Sequence, residues 1–140
     1  MSARALKPSL YTVSATPSDA STTPSLLGGR CRCGYVFFPM QTYGCEKCGA
    51  TGDALEPAAL RAKATLVASA RVLMHARKDR TPPFVVVSAR LADGPVVRTL
   101  LDEDTAETLP VGTALRGRLV EVSRNEVGEP VVDLRFSLVR

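Results

Sequence analysis

The sequence contains no tryptophan and one histidine, and no apolar run approaches the roughly 18 residues of a membrane span. With His75 as the lone imidazole, most of the nucleophile and base pairs of hydrolases and transferases are excluded. No G-x-S-x-G, H-E-x-x-H or phosphate-cradling glycine loop is present, so the chain is expected to have no catalytic residues of its own. The opening stretch MSARALKPSLYTVSATPSD lacks the continuous apolar segment of a secretory signal. The expected location is therefore cytoplasmic, where thiols stay reduced.

What the chain does contain is apolar and turn-rich. Hydrophobic residues make up 45% and charged residues 23%, with a formal net charge of +4, as in a globular protein of mild basicity. Ten Gly, ten Pro and no long apolar helical stripe point to strands and turns. At 140 residues the chain fits one medium domain, or a metal-stapled module of about 35 residues joined to a core of about 80. The second arrangement is the expected one.

Residues 1–25 read as an extended N-terminal arm. Its Ser, Thr, Ala and Pro content buries too little apolar surface to fold alone, so its order would come from a partner chain or from packing on its own domain. Residues 26–53 hold all four cysteines, and 54–140 form the larger unit, beginning with a connector from Ala54 to Arg61. Five strand-like stretches follow. In the first, Leu66, Ala68, Ala70, Val72 and Met74 are expected to face inward. The second, Phe84 to Leu91, has Val85, Val87, Ala89 and Leu91 inward and turns through Ala92-Asp93-Gly94-Pro95 into the third, Val96 to Leu101. The fourth runs from about Ala114 to Val122, and its apolar phase slips between Leu119 and Val120, which predicts a β-bulge there. The last, Val131 to Val139, alternates Val132, Leu134, Phe136 and Leu138 against Asp133, Arg135 and Ser137. Five strands without helical patterns between them suit a small closed barrel such as an OB-fold.

The cysteines follow the pattern Cys31-x-Cys33, eleven residues, Cys45-x-x-Cys48, with Gly34 and Gly49 after each pair. Paired thiolates on two tight turns offer four soft donors to a tetrahedral ion, and zinc fits that set. A glycine behind each pair permits the left-handed backbone that aims amide hydrogens at sulfur. Disulfides are disfavoured because a Cys-x-Cys bridge closes a strained ring, and a redox Cys-x-x-Cys would be expected at the start of a helix within a βαβ unit. Iron in the same four sulfurs, as in a rubredoxin-like electron carrier, is not excluded by ligand type. Four protein ligands leave no open position, so structural zinc would fold the ribbon and would not catalyse. The fold class that results is mainly β, with an N-terminal rubredoxin-like zinc ribbon followed by a five-stranded OB-fold barrel.

A second cluster is basic: Arg71, His75, Arg77, Lys78 and Arg80. It reads either as a solvated loop or as a site for a phosphate-bearing ligand such as coenzyme A, with Arg77, Lys78 and Arg80 as the candidate contacts. Single-stranded nucleic acid needs aromatic platforms as well as charge, and the barrel strands supply only Phe84 and Phe136. Tyr35, Phe37, Phe38 and Tyr43 lie in the cysteine-rich segment instead. Adjacent Phe37 and Phe38 point to opposite faces of a strand, so one is available for an interface or for the seam between the two units. The acidic run Asp102-Glu103-Asp104 reads as a solvated loop.

The order Leu27-Gly-Gly-Arg-Cys31-Arg-Cys33-Gly-Tyr-Val-Phe-Phe-Pro39, Cys45-Glu-Lys-Cys48-Gly, Leu91-Ala-Asp-Gly94 and Val111-Gly112 resembles the thiolase-associated zinc-ribbon and OB-fold family, long catalogued as a domain of unknown function. The resemblance covers about residues 26–140. Three features depart from the family pattern: the first cysteine pair is one residue short, Phe38-Pro39-Met40 replaces Phe-Pro-Pro, and the arm replaces an N-terminal helical lead. The resemblance implies a non-catalytic accessory subunit that binds structural zinc and assembles, as a heterotetramer, with a thiolase-fold protein acting on acyl-CoA. The partner would then carry the catalytic residues and share the CoA thioester site. Two alternatives use the same motifs: a nucleic-acid-binding zinc-ribbon/OB module, and a partner of an acyl-CoA hydratase. No membrane role is expected.

Overall fold

A computed structural model describes residues 3–13, 23–77 and 80–139. Among these residues the strands are β1 (Arg4–Ala5), β2 (Ser25–Cys31), β3 (Val36–Phe37), β4 (Leu55–Arg61), β5 (Lys63–Val72), β6 (Phe84–Leu91), β7 (Val96–Leu100), β8 (Ala114–Arg124) and β9 (Pro130–Leu138). Two sheets result, one ordered β1-β9-β8-β5-β6-β7 and the other β3-β2-β4. Among the described residues no helix is long and apolar enough to cross a membrane.

The larger sheet curls until its far strands meet. Leu101 forms a parallel bridge to Phe136, the Asp102 amide donates to the Phe136 carbonyl at 2.8 Å, and the Thr99 hydroxyl donates to the Leu134 carbonyl at 3.0 Å. The circuit β5-β6-β7-β9-β8 and back to β5 is an OB-type barrel. Its interior is the alternating set read from the sequence in β6 and β9: Val85, Val87, Ala89 and Leu91 from one, Val132, Leu134 and Phe136 from the other, all buried.

The first of the expected barrel strands behaves differently. A register shift between Leu66 and Ala68 leaves Val67 as an extra residue, and from there every side chain changes face. Ser69 lies opposite Val87 and Arg71 opposite Val85, so Ala68 and Ala70 point outward and are exposed, as is Met74 beyond the strand. Alternation alone could not reveal this, because the bulge falls within an unbroken apolar run. In β8 the expected bulge exists three residues farther along, between Glu121 and Ser123, leaving Val122 unpaired.

Leu55–Arg61, expected as a connector, is a full strand. It pairs with β2 from Leu55 opposite Cys31 to Arg61 opposite Ser25, and Leu26 and Leu60 carry this sheet onto the barrel core. β2 tolerates such close company because it has glycines. A Cβ on Gly28 would lie 2.5 Å from Leu60 Cδ1 and 2.5 Å from the Phe37 carbonyl oxygen. The side chain could shift but the backbone oxygen could not. Gly28→Ala is therefore expected to destabilise the chain by about 1–3 kcal/mol, read as a lowered urea midpoint.

The described part of the arm packs on its own domain, the second of the two possibilities its composition left open. β1 pairs in parallel with β9, and Tyr11 is buried against the core. The Tyr11 hydroxyl donates to the Val132 carbonyl at 2.9 Å and contacts Asp133 Oδ1 at 3.2 Å. Asp133, expected on the outer face of β9, is thereby buried, with Arg135 Nε 3.5 Å from its other oxygen. Burial, with the nearby Asp133 charge, raises the Tyr11 phenol from 10.0 to about 12 despite the Lys7 amide. A folded-state value above the unfolded one means the contribution is complete below pH 10 and is lost as pH rises from 10 to 12. Tyr11→Phe, which removes the donor and leaves a buried carboxylate short of a partner, is expected to lower stability by about 1–3 kcal/mol and to abolish that alkaline loss. Denaturant titrations at pH 7 and 11 measure both effects.

Candidate metal centre

The second cysteine turn is held by the Gly49 amide, which donates to the Cys45 carbonyl at 2.9 Å, and by the Cys45 amide, which donates to the Ala50 carbonyl at 2.8 Å. The first is built the same way: the Gly34 amide donates to the Cys31 carbonyl and the Cys31 amide to the Tyr35 carbonyl, both at 2.8 Å. Gly34 and Gly49 take φ values of 98° and 79°, the left-handed region anticipated for both turns. Shortening the first pair to Cys-x-Cys has not disturbed this arrangement.

The four sulfurs converge within 4.8 Å of one another. Cys31 Sγ lies 3.5 Å from Cys48 Sγ, and Cys33 Sγ lies 3.7 Å from Cys45 Sγ. A tetrahedron with metal–sulfur bonds of about 2.3 Å needs sulfurs about 3.8 Å apart, so the cluster is positioned to hold a metal ion. Both spacings are far longer than an S–S bond, and all four cysteines are free thiols. The Lys47 and Cys48 amides donate to Cys45 Sγ at 3.3 and 3.5 Å.

These contacts divide the thiols unequally. Burial opposes ionisation of Cys45, but the Cys48 and Lys47 amides and the neighbouring Cys31 and Cys33 thiols outweigh it and bring Cys45 down to about 6. At Cys31 the Cys33 amide favours the thiolate, while burial and the three other thiols prevail and push it up to about 12. Binding of a dication would displace protons from the ligating sulfurs.

Around the sulfurs the buried apolar core consists of Cys31, Cys45, Phe37 and Leu55. Tyr35 stacks near Phe37 with centroids 6.4 Å apart and its hydroxyl meets Glu46 at 3.2 Å. Phe38 turns the other way and packs on the barrel core, so it belongs to the seam between the two sheets. Tyr43 is the exposed ring of this region, at 89%.

The basic cluster is less unified than its sequence suggests. Arg71 makes a two-point pair with Asp104, at 2.9 and 2.7 Å, which ties part of the acidic run to the barrel; Asp102 accepts from Arg118 at 3.0 Å and from Ser137. Arg80 lies over the Phe84 ring at 5.3 Å and His75 meets that ring edge-on at 5.3 Å. Arg77 is exposed, and Lys78 lies outside the described residues.

The class defined by this fold and site is a four-cysteine ribbon sheet joined to an OB barrel. A solved chain described as Ltp2-ChsH2(DUF35) aldolase has the same architecture, with a TM-score of 0.61 and 16% identity over 79% of this chain and 84% of that one. Its DUF35 designation is that of the family the cysteine, glycine and barrel motifs resemble. No family model and no curated relative matches the chain.

Proposed function

We propose that this chain is a zinc-stapled, non-catalytic subunit of a thiolase- or aldolase-type enzyme acting on acyl-CoA, in degradative steps of the kind that remove side chains or open aromatic-derived products. The observation that carries this reading is the four-sulfur ribbon seated on an OB barrel, an architecture shared with a chain of an aldolase. Zinc suits the donor set, and with Cys31, Cys33, Cys45 and Cys48 as its ligands no position is left for substrate. The ion would supply folding energy to the ribbon. The partner, a thiolase-fold protein in a symmetric heterotetramer, would supply nucleophile and base. Reconstitution tests this: the purified chain should show no thiolysis or aldol cleavage alone, and should raise the activity of its partner when added to it.

The finer part of the proposal places CoA phosphates against Arg77, Lys78 and Arg80, in the segment of sequence between β5 and β6. The triple alanine variant is expected to raise the KM of the assembled enzyme for its CoA substrate severalfold with kcat nearly unchanged. Unaltered kinetics would return this loop to a solvated surface.

A further inference from the structure

The cysteine site and the 77–80 loop leave one sizeable cavity unused. It is a half-open cleft of about 740 Å³ where β2 and β4 of the small sheet approach β5, β6 and β8 of the barrel. Arg61, Lys63, Arg90 and Arg116 line it, all exposed, and Leu91 and Leu115 contribute to its apolar wall. None of these residues is adjacent in sequence to more than one other, and only the strand register assembles them.

The charge arrangement is unusual for a structural surface. Lys63 and Arg116 are direct cross-strand partners on β5 and β8, so their side chains share a face with Cβ atoms about 4.5–5.5 Å apart. Like charges directly opposite destabilise a sheet. Neither residue makes an ion pair among the described residues. On β6, Arg90 pairs with Thr65, two residues beyond Lys63 on the same face, and donates to the Gly94 carbonyl at 3.3 Å. Arg61 alone has an acid, Asp93, at 3.2 Å, and the Arg61 amide also donates to Asp93 at 2.9 Å. Three cations therefore line the cleft with no carboxylate paired to them among the described residues.

We infer that the cleft is a phosphate-recognition site, taking a ligand with clustered phosphates and an apolar body. Its volume falls in the range of small-molecule sites, and its lining has no aromatic ring on which successive bases of a nucleic acid could stack. Nine residue steps along β5 separate Lys63 from Val72, about 30 Å at strand rise, so this is a different place from the loop after β5. The inference goes beyond the proposed function and needs no partner chain. Two sources share the chemistry: a CoA thioester and a free nucleotide or pyrophosphate.

Calorimetric titration of the full-length, metal-loaded chain with CoA, ADP and pyrophosphate at low salt tests it. The wild type should bind, and the double variant Lys63→Gln with Arg116→Gln should lose at least about tenfold in affinity, the scale of one or two charge-assisted hydrogen bonds. Arg124→Ala, at the far end of β8 and outside the cleft, should bind as the wild type does. CoA binding more tightly than ADP and pyrophosphate identifies the thioester as source; equal affinity for all three identifies free polyphosphate. Removing mutual repulsion should leave the variant's melting temperature equal or higher, and pyrophosphate should raise that of the wild type more. No phosphate binding by the wild type, unchanged affinity in the double variant, or tighter and steeply salt-dependent binding of an oligonucleotide overturns the inference. Because the titration uses the isolated chain, its failure leaves assembly with an enzyme untouched, and failed assembly leaves the cleft untouched.

Discussion

Cys45→Ser is expected to abolish metal retention and unfold the cysteine-bearing half of the ribbon, residues 31–54, while the barrel stays folded. The expectation follows from how little else holds that segment. Its buried apolar core is Phe37 and Leu55 beside two of the cysteines themselves, and β3 is two residues long. A structural zinc site contributes about 10–16 kcal/mol at neutral pH, far more than such a core can offer. Barrel residues, by contrast, bury Phe136, Val87 and Val132 almost completely, without help from the sulfurs. Metal analysis should find about one zinc per wild-type chain and less than a tenth of that in the variant. Hydrogen exchange should show protection lost across 31–54 and kept in β6 and β9. Iron in the fresh protein, or a ribbon that remains protected after chelation, would refute this assignment.

The parts of this architecture that could be read in advance are those encoded by neighbours in sequence. Cys-x-Cys and Cys-x-x-Cys with trailing glycines define two turns whose geometry is local, and Gly34 and Gly49 adopt the backbone those turns require. The hairpin through Asp93-Gly94 and the alternation of β9 are equally local. What escaped reading depends on pairing at a distance. Nothing in Leu55–Arg61 announces a strand except β2, some thirty residues earlier, which gives it a partner. Tyr11 looks like a residue of a polar arm until the barrel presents the Val132 carbonyl and Asp133 to its hydroxyl. The reversal of faces after Val67 and the meeting of Lys63 with Arg116 are likewise properties of register.

The packing of the described part of the arm decides what its removal should do. Deleting residues 1–23 would take away Tyr11 and β1, expose a core edge and leave Asp133 buried without its phenol, so the barrel itself should weaken. Exposed apolar surface among the described residues lies elsewhere. Tyr43 in the ribbon and Leu73 and Met74 beyond β5 are large apolar side chains exposed at 89%, 64% and 89%.

The second large effect is assembly. Co-expressed with a thiolase-fold protein from the same pathway, the chain is expected to bury more than about 1,000 Å² against it and to run as a symmetric heterotetramer, with activity absent from this chain alone. Size-exclusion chromatography with light scattering on the co-expressed pair, followed by assay of each fraction, tests this claim most directly. The account predicts one peak of two chains each, containing zinc and all of the activity that this chain enhances. Separate elution from every thiolase-fold partner tried, or acyl-CoA cleavage by the fraction holding this chain alone, would contradict it.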